Sequence, residues 1–164
     1  MIRHIFNIIF CLLPPTRFFS FRNCMLKIAG IRVGSHTSFC GRSWIYGRGK
    51  LTIGNHTWIG PGAVIFTNTE AEIFIGNNCD VGPGVEFITG SHRIGYSSRR
   101  AGEGFAKSIK VGDGVWIGAK SIILGGVTIG AGSIIAAGSL VRADVPNNCL
   151  VAGVPGVIKK KLGL

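Results

Sequence analysis

The sequence predicts an all-β fold, a parallel β-helix of about five triangular coils, and three observations carry that prediction. From Val33 onward the chain runs in blocks of six, and every block opens on Val, Ile or Phe. The fifth residue of nearly every block is small or β-branched, with Gly49 and Cys79 departing from the rule. The blocks group in threes: "IRVGSHTSF", "LTIGNHTWIG", "IFIGNNCDVG" and "IKVGDGVWIG" are one phrase repeated, and each insertion falls just before such a phrase. A strand period of two does not generate a period of six. One large apolar and one small residue in six suits a short strand followed by a tight corner, and three of these close a coil. A single coil cannot bury its inward residues, so the coils must stack. At ~4.8 Å between strands, five coils make a prism roughly 24 Å tall.

The chain divides accordingly. Residues 1–30 form an N-terminal cap, 31–146 the repeat with an excursion at 93–108, and 147–164 a basic C-terminal tail. The opening "MIRHIFNIIFCLLPPTRFFSF" holds an apolar run of about ten residues, too short to span a bilayer. It lacks a small-residue cleavage site and is not read as a signal peptide. Pro14 and Pro15 end any helix there, so residues 2–13 are read as one short apolar helix. That helix either closes the open end of the repeat or lies on a membrane surface.

Composition narrows the partners. Apolar residues make up 46% of the 164 and charged residues 15%, and 26 are glycine. Frequent aliphatics exclude disorder, and glycine without a three-residue period excludes collagen. The net charge of +11 suits a polyanion: nucleic acid, anionic lipid or a phosphate-bearing cofactor. No zinc-finger spacing or nucleic-acid aromatic motif accompanies the basic residues, so no nucleic-acid partner is expected. Five cysteines without a C-x-x-C pair predict neither a disulfide framework nor a zinc site. Cys79 falls on an inward position, and reduced cysteines suit a cytoplasmic protein.

The rhythm breaks once at length. After "TGSH", ending on His92, it stops for "RIGYSSRRAGEGFAKS" and resumes at "IKVGDGVWIG". Long excursions in compact domains serve function or are disordered. This one is expected to be flexible through Gly95, Gly102 and Gly104, and basic through Arg99 and Arg100. His36 and His56 share the fourth position of successive coils and are expected to stack. A zinc site of the kind found in γ-class carbonic anhydrases needs three converging histidines. Asn78 and Gly114 fill the next equivalent positions, so no metal is expected.

The segment "VGDGVWIGAKSIILGGVTIGAGSIIAAGSLVRADVP" followed by "AGVPGVIKK" resembles the hexapeptide-repeat acyltransferases, nearest the maltose, galactoside and polysaccharide O-acetyltransferase branch, over residues 31–161. The resemblance implies a left-handed β-helix, although most crossovers are right-handed. It implies acetyl-CoA as acyl donor and a homotrimer with active sites between subunits. It also implies that His92, in T-G-S-H followed by a loop and V-G-D-G-V-W-I-G, is the general base. Acetyl transfer to a hydroxyl asks for little more: a neutral imidazole to take the proton, donors for the oxyanion and two substrates held together. Family members set a carboxylate near the base, and Glu70 and Glu103 both remain candidates. Gly118, Ala119 and Ala137 match residues that keep a groove open for the pantetheine arm, with Trp116 beside it. Arg142 and Lys160 match basic positions near the CoA phosphates, although the usual Thr-Lys-Asp is Arg142-Ala143-Asp144 here.

The apolar N-terminus replaces the longer polar segment of the sugar acetyltransferases. This shifts the expected acceptor towards a polysaccharide or lipid-linked saccharide, and the location towards the cytoplasm or the inner face of the membrane. Surface-polysaccharide O-acetylation, as of O-antigen or capsule, is the leading reading. N-acetylation of an amino sugar is the alternative, although the residues ahead of the repeat are too few for the nucleotide-sugar domain those enzymes often carry. A non-catalytic trimeric scaffold is a third reading.

Overall fold

The computed structural model describes residues 2–163. Two helices, α1 (Ile2–Leu12) and α2 (Phe19–Ile28), precede the coils. Coil one holds β1 (Arg32–Val33), β2 (Ser38–Phe39) and β3 (Trp44–Tyr46). Coil two holds β4 (Lys50–Ile53), β5 (Trp58–Ile59) and β6 (Val64–Phe66). Coil three holds β7 (Glu72–Ile75), β8 (Asp80–Val81) and β9 (Glu86–Ile88). After a hairpin of β10 (Gly90–Ile94) and β11 (Ala101–Ala106), coil four holds β12 (Ile109–Val111), β13 (Trp116–Ile117) and β14 (Ile122–Leu124). Coil five holds β15 (Thr128–Ile129), β16 (Ile134–Ile135) and β17 (Leu140–Val141). The chain ends on β18 (Cys149–Ala152) and β19 (Val157–Lys161).

Every third strand stacks in parallel on its predecessor. The first face of the prism runs β1-β4-β7-β12-β15, the second β2-β5-β8-β13-β16-β18-β19, and the third β3-β6-β9-β14-β17. Together the three sheets form a left-handed β-helix. The residue that opens each block points inward: Ile59, Ile65, Ile75, Val81 and Phe87 are fully buried, as are Val111, Ile117 and Ile123.

The small fifth residues have a second role besides fitting the corner. The Thr37 hydroxyl donates to the Gly54 carbonyl (2.6 Å), Thr57 to Gly76 (2.8 Å) and Ser133 to Pro146 (2.8 Å). Each buried hydroxyl is thus satisfied by the next coil. Thr69 and Ser91 break this rule and are exposed. At the third-to-first corner the chain leaves the coil early, and Thr67 and Thr89 turn inward instead. The turn between first and second faces uses left-handed backbone at His36, His56, Asn78, Gly114, Gly132 and Asn148. His36 and His56 stack there at 4.8 Å and 16°.

The N-terminal cap is larger than the sequence suggests. Pro14 and Pro15 end α1, but α2 follows and covers the first and second faces of coil one. The Asn7 side chain, buried under α1, accepts from the Ile45 N–H and donates to the Ile45 carbonyl, both at 3.1 Å. It thereby pairs both backbone groups of one residue on the edge strand β3, which would otherwise remain unpaired in the core. Phe10 is fully buried beneath it. Arg22 of α2, also fully buried, donates to the Pro14, Pro15 and Arg17 carbonyls and holds the interhelical turn. The neighbouring Cys40 thiol is pushed up to about 11 by burial, which makes it an inert packing group.

The described residues after coil five form strands as well. The β18 strand extends the second face beyond coil five, and β19 folds back antiparallel on it, setting Lys160 opposite Leu150. The expected tail is a hairpin that closes this end of the sheet.

Candidate active site

The excursion after Thr89 is a two-stranded hairpin and not a flexible loop. Gly90 pairs with Ala106, Ser91 with Phe105 and His92 with Gly104. The glycines permit close pairing. A Cβ at Gly95 would collide with the Arg99 carbonyl, and one at Gly104 would lie 3.7 Å from the His92 ring. His92 therefore sits within β10, out on the arm, and not at the corner itself. The arm stands away from the prism, with Ile94 90% and Tyr96 88% exposed.

The His92 Nδ1 lies 3.0 Å from the Gly102 carbonyl oxygen. A carbonyl only accepts, so Nδ1 carries the proton in the neutral ring. Nε2 then keeps a free lone pair, as a general base requires. Neither carboxylate holds this place: Glu103 is 3.5 Å from Arg93 across the outer side of the arm. Glu70 lies on the turn of coil two, where its N–H donates to the Asn68 side chain at 2.9 Å. Glu70, Asn68 and Thr69 form one wall of a cleft of about 450 Å³ whose other wall is Ser91, His92, Gly104 and Phe105. His92 and Glu70 thus line one cavity. The sequence reading missed Gly102, because a backbone carbonyl has no signature beyond the glycine spacing around it.

The residues expected from the sequence to form the donor groove lie at another corner, between the second and third faces. Gly118 is buried, and a Cβ there would collide with the Ala137 backbone. Ala119 and Ala137 stack in coils four and five. The Gly138 N–H donates to the Ala119 carbonyl (2.9 Å), and the N–H of Lys120 to Pro83 (2.9 Å). Among the described residues, the N–H groups of Ala119 and Ala137 donate to no carbonyl or side chain. The equivalent residues in coils two and three are Pro61 and Pro83, which have no N–H. Two unused donors in line are therefore peculiar to coils four and five.

Trp116 is 55% exposed on the outer side of the second face, beside Asp80 and Ile134. Lys160 joins the same column through Leu150. Arg142 is exposed at the third-to-first corner. The sequence grouped Arg142 and Lys160 at one nucleotide end, whereas the fold sets Arg142 at that corner and Lys160 on the second-face sheet.

Residues 108–143 match the family model described as bacterial transferase hexapeptide (six repeats). A galactoside O-acetyltransferase of Lactococcus lactis is 33% identical over 93 residues, covering 57% of this chain and 45% of the relative. The chain spans about half the length, or less, of the curated relatives with the strongest matches. Among solved structures, a hexapeptide-repeat-containing acetyltransferase of Vibrio cholerae in complex with acetyl-coenzyme A superposes with a TM-score of 0.87. It is 30% identical and covers 99% of this chain and 86% of its own. The polySia-specific acetyltransferase NeuO superposes with a TM-score of 0.70 at 31% identity, over 80% of this chain and 61% of its own.

Proposed function

Because the chain belongs to the hexapeptide-repeat acetyltransferases, we propose that it transfers an acetyl group from acetyl-CoA to a sugar hydroxyl, with His92 as general base. The observation that carries this reading is the bond from His92 Nδ1 to the Gly102 carbonyl, which in the neutral ring gives the free lone pair to Nε2, on a residue that lines a cleft. Nε2 takes the hydroxyl proton as the sugar oxygen attacks the thioester carbonyl. The tetrahedral oxyanion collapses, the C–S bond breaks, and the imidazolium returns the proton to the departing CoA sulfur. Glu70, across the cleft, is suited to accept a hydrogen bond from a second sugar hydroxyl and so to orient the ring. Thiol release from acetyl-CoA over a panel of saccharides tests the reading. Release driven by hydroxyl acceptors supports it. Release with amino sugars alone would make the enzyme an N-acetyltransferase, and the absence of release with every acceptor would leave the scaffold reading.

The acceptor we favour is a polysaccharide or lipid-linked saccharide, in keeping with the likeness to a polySia-specific acetyltransferase.

The active unit in this proposal is a homotrimer. The groove at Ala119 and Ala137 and the corner from which the His92 arm leaves flank the third face. Packing one prism against another brings the base of one copy to the groove of the next. The third face offers an apolar surface for this, with Tyr46 and Phe66 42% and 38% exposed. The exposed Ile94 and Tyr96 of the arm would find cover on the neighbour. Sedimentation of the active enzyme should show a trimer, and an active monomer would overturn the arrangement.

The two basic residues are separated by one ligand comparison. CoA exceeds dephospho-CoA by a 3′-phosphate. A charge-assisted contact to that group from an exposed side chain lies at the lower end of the usual range, so acetyl-dephospho-CoA should bind about tenfold more weakly. Calorimetry on Arg142→Ala and Lys160→Ala separately should show which residue removes that difference. Equal weakening for both ligands would assign the residue to packing or to the anion as a whole.

A further inference from the structure

The cap has a second face that the fold does not use. At 3.6 residues per turn, Arg3, Phe6, Asn7 and Phe10 of α1 fall on one arc and face the coils. Asn7 and Phe10 there are buried. The opposite arc carries Ile2, Ile5, Ile8 and Leu12, which are 44%, 47%, 46% and 80% exposed. The rest of the cap adds Phe18, Phe21 and Ile28, at 57%, 48% and 64%. Seven large apolar side chains outside the core at one end of the prism are more than a stray exposed residue.

The charge around them is of one sign. No Asp or Glu occurs before Glu70. Arg17, Lys27, Arg32, Arg42, Arg48 and Lys50 are all exposed on the cap, coil one or the start of coil two. All seven carboxylate side chains of the chain lie at residue 70 or beyond, so the molecule is polarised along its axis. An apolar helix face ringed by cations, without a counter-charge, complements a bilayer surface bearing anionic headgroups. A second copy of the same end would repel it. The described helices are not long and apolar enough to cross a membrane, which fits α1 lying in the plane of the interface.

We propose that the N-terminal cap docks the enzyme on an anionic lipid surface, with Ile2, Ile5, Ile8 and Leu12 in the headgroup boundary and the surrounding cations on the lipid phosphates. With about 10 Å for the helix layer and two coil steps above it, the His92 arm stands roughly 20 Å from that surface. That is a suitable height for a saccharide anchored in the same membrane. The docking itself does not depend on the chemistry proposed for His92.

Flotation of the full chain with vesicles tests it. The protein should float with vesicles of phosphatidylcholine containing about a third phosphatidylglycerol and remain below with phosphatidylcholine alone, a difference of roughly tenfold or more in bound fraction. The triple variant Ile5→Ser, Ile8→Ser, Leu12→Ser changes exposed positions only. It should keep its melting temperature and lose flotation. Arg17→Glu with Lys27→Glu and Arg48→Glu should lose flotation too, and the native binding should weaken in high salt. No flotation of the native protein with anionic vesicles, or equal flotation of the serine triple variant, would overturn the proposal. A native protein that ignores vesicles but dissociates into smaller species on the serine substitutions would show that this face joins copies of the chain instead. Thiol release measured with a soluble saccharide reports on the acetyl transfer separately, so either idea can fail alone.

Discussion

His92→Ala should lower turnover by roughly 10²–10⁴-fold, the usual contribution of a positioned general base, while acetyl-CoA affinity stays nearly unchanged. The side chain is exposed on the arm, and its ring makes one hydrogen bond, to the Gly102 carbonyl. Its removal should therefore leave the fold intact. Steady-state thiol release and calorimetry with acetyl-CoA measure the two quantities independently. Added imidazole should restore part of the lost rate, because the space vacated by the ring adjoins an open cleft and the hydroxyl still needs a proton acceptor. A positioning or packing role would respond to neither. The Gly104 position supplies a companion variant. A Cβ there would stand 3.7 Å from the ring, so Gly104→Val, with two further methyls beyond that Cβ, should displace the imidazole and lower turnover while His92 is still present. If His92→Ala keeps near-full turnover, the base lies elsewhere.

The placement of this histidine shows where a sequence is legible and where it is not. The coil is legible because its rule is one-dimensional. An inward aliphatic every six residues fixes register, and Ile59, Val81 and Ile117, among others, obey it without exception. The excursion after His92 was visible as a break in that rule, but its interior was not. A run of Gly, Arg and Ser reads as flexible, whereas the fold uses Gly95 and Gly102 to bring two strands together. The partner of the ring is a main-chain carbonyl, which any residue supplies and no side-chain pattern announces. The second helix escaped for a different reason. Its buried stripe contains Arg22, whose guanidinium is held by three carbonyls of the preceding turn. An arginine in that position breaks an apolar period. Asn7 hides in the same manner within an apolar helix, since its value comes from the edge strand above it. The basic C-terminal run reads as a solvated tail because its pairing partner, β18, is itself outside the hexapeptide rhythm.

Ala119→Pro combined with Ala137→Pro should weaken CoA and acetyl-CoA binding on the order of 30-fold, from about 1 kcal/mol for each of two lost hydrogen bonds. The fold itself provides the control. In coils two and three the same corner is occupied by Pro61 and Pro83. The residue before each of the four positions makes the same bond to the following coil: Gly60 to Val81, Gly82 to Ile117, Gly118 to Ile135 and Ala136 to Val151, at 2.7–2.8 Å. Proline is therefore compatible with the backbone at this corner, and no coil hydrogen bond is lost with the Ala119 and Ala137 N–H groups. By restricting the unfolded chain, the two substitutions should leave the melting temperature unchanged or raise it slightly. A stable variant with weakened CoA binding would assign the two amides to the donor's arm. Retained affinity would place that arm elsewhere, and the small residues of this corner would then serve packing alone. The comparison with His92→Ala completes the separation: one variant should lose turnover and keep affinity, the other should lose affinity and, at saturating acetyl-CoA, keep most of its turnover.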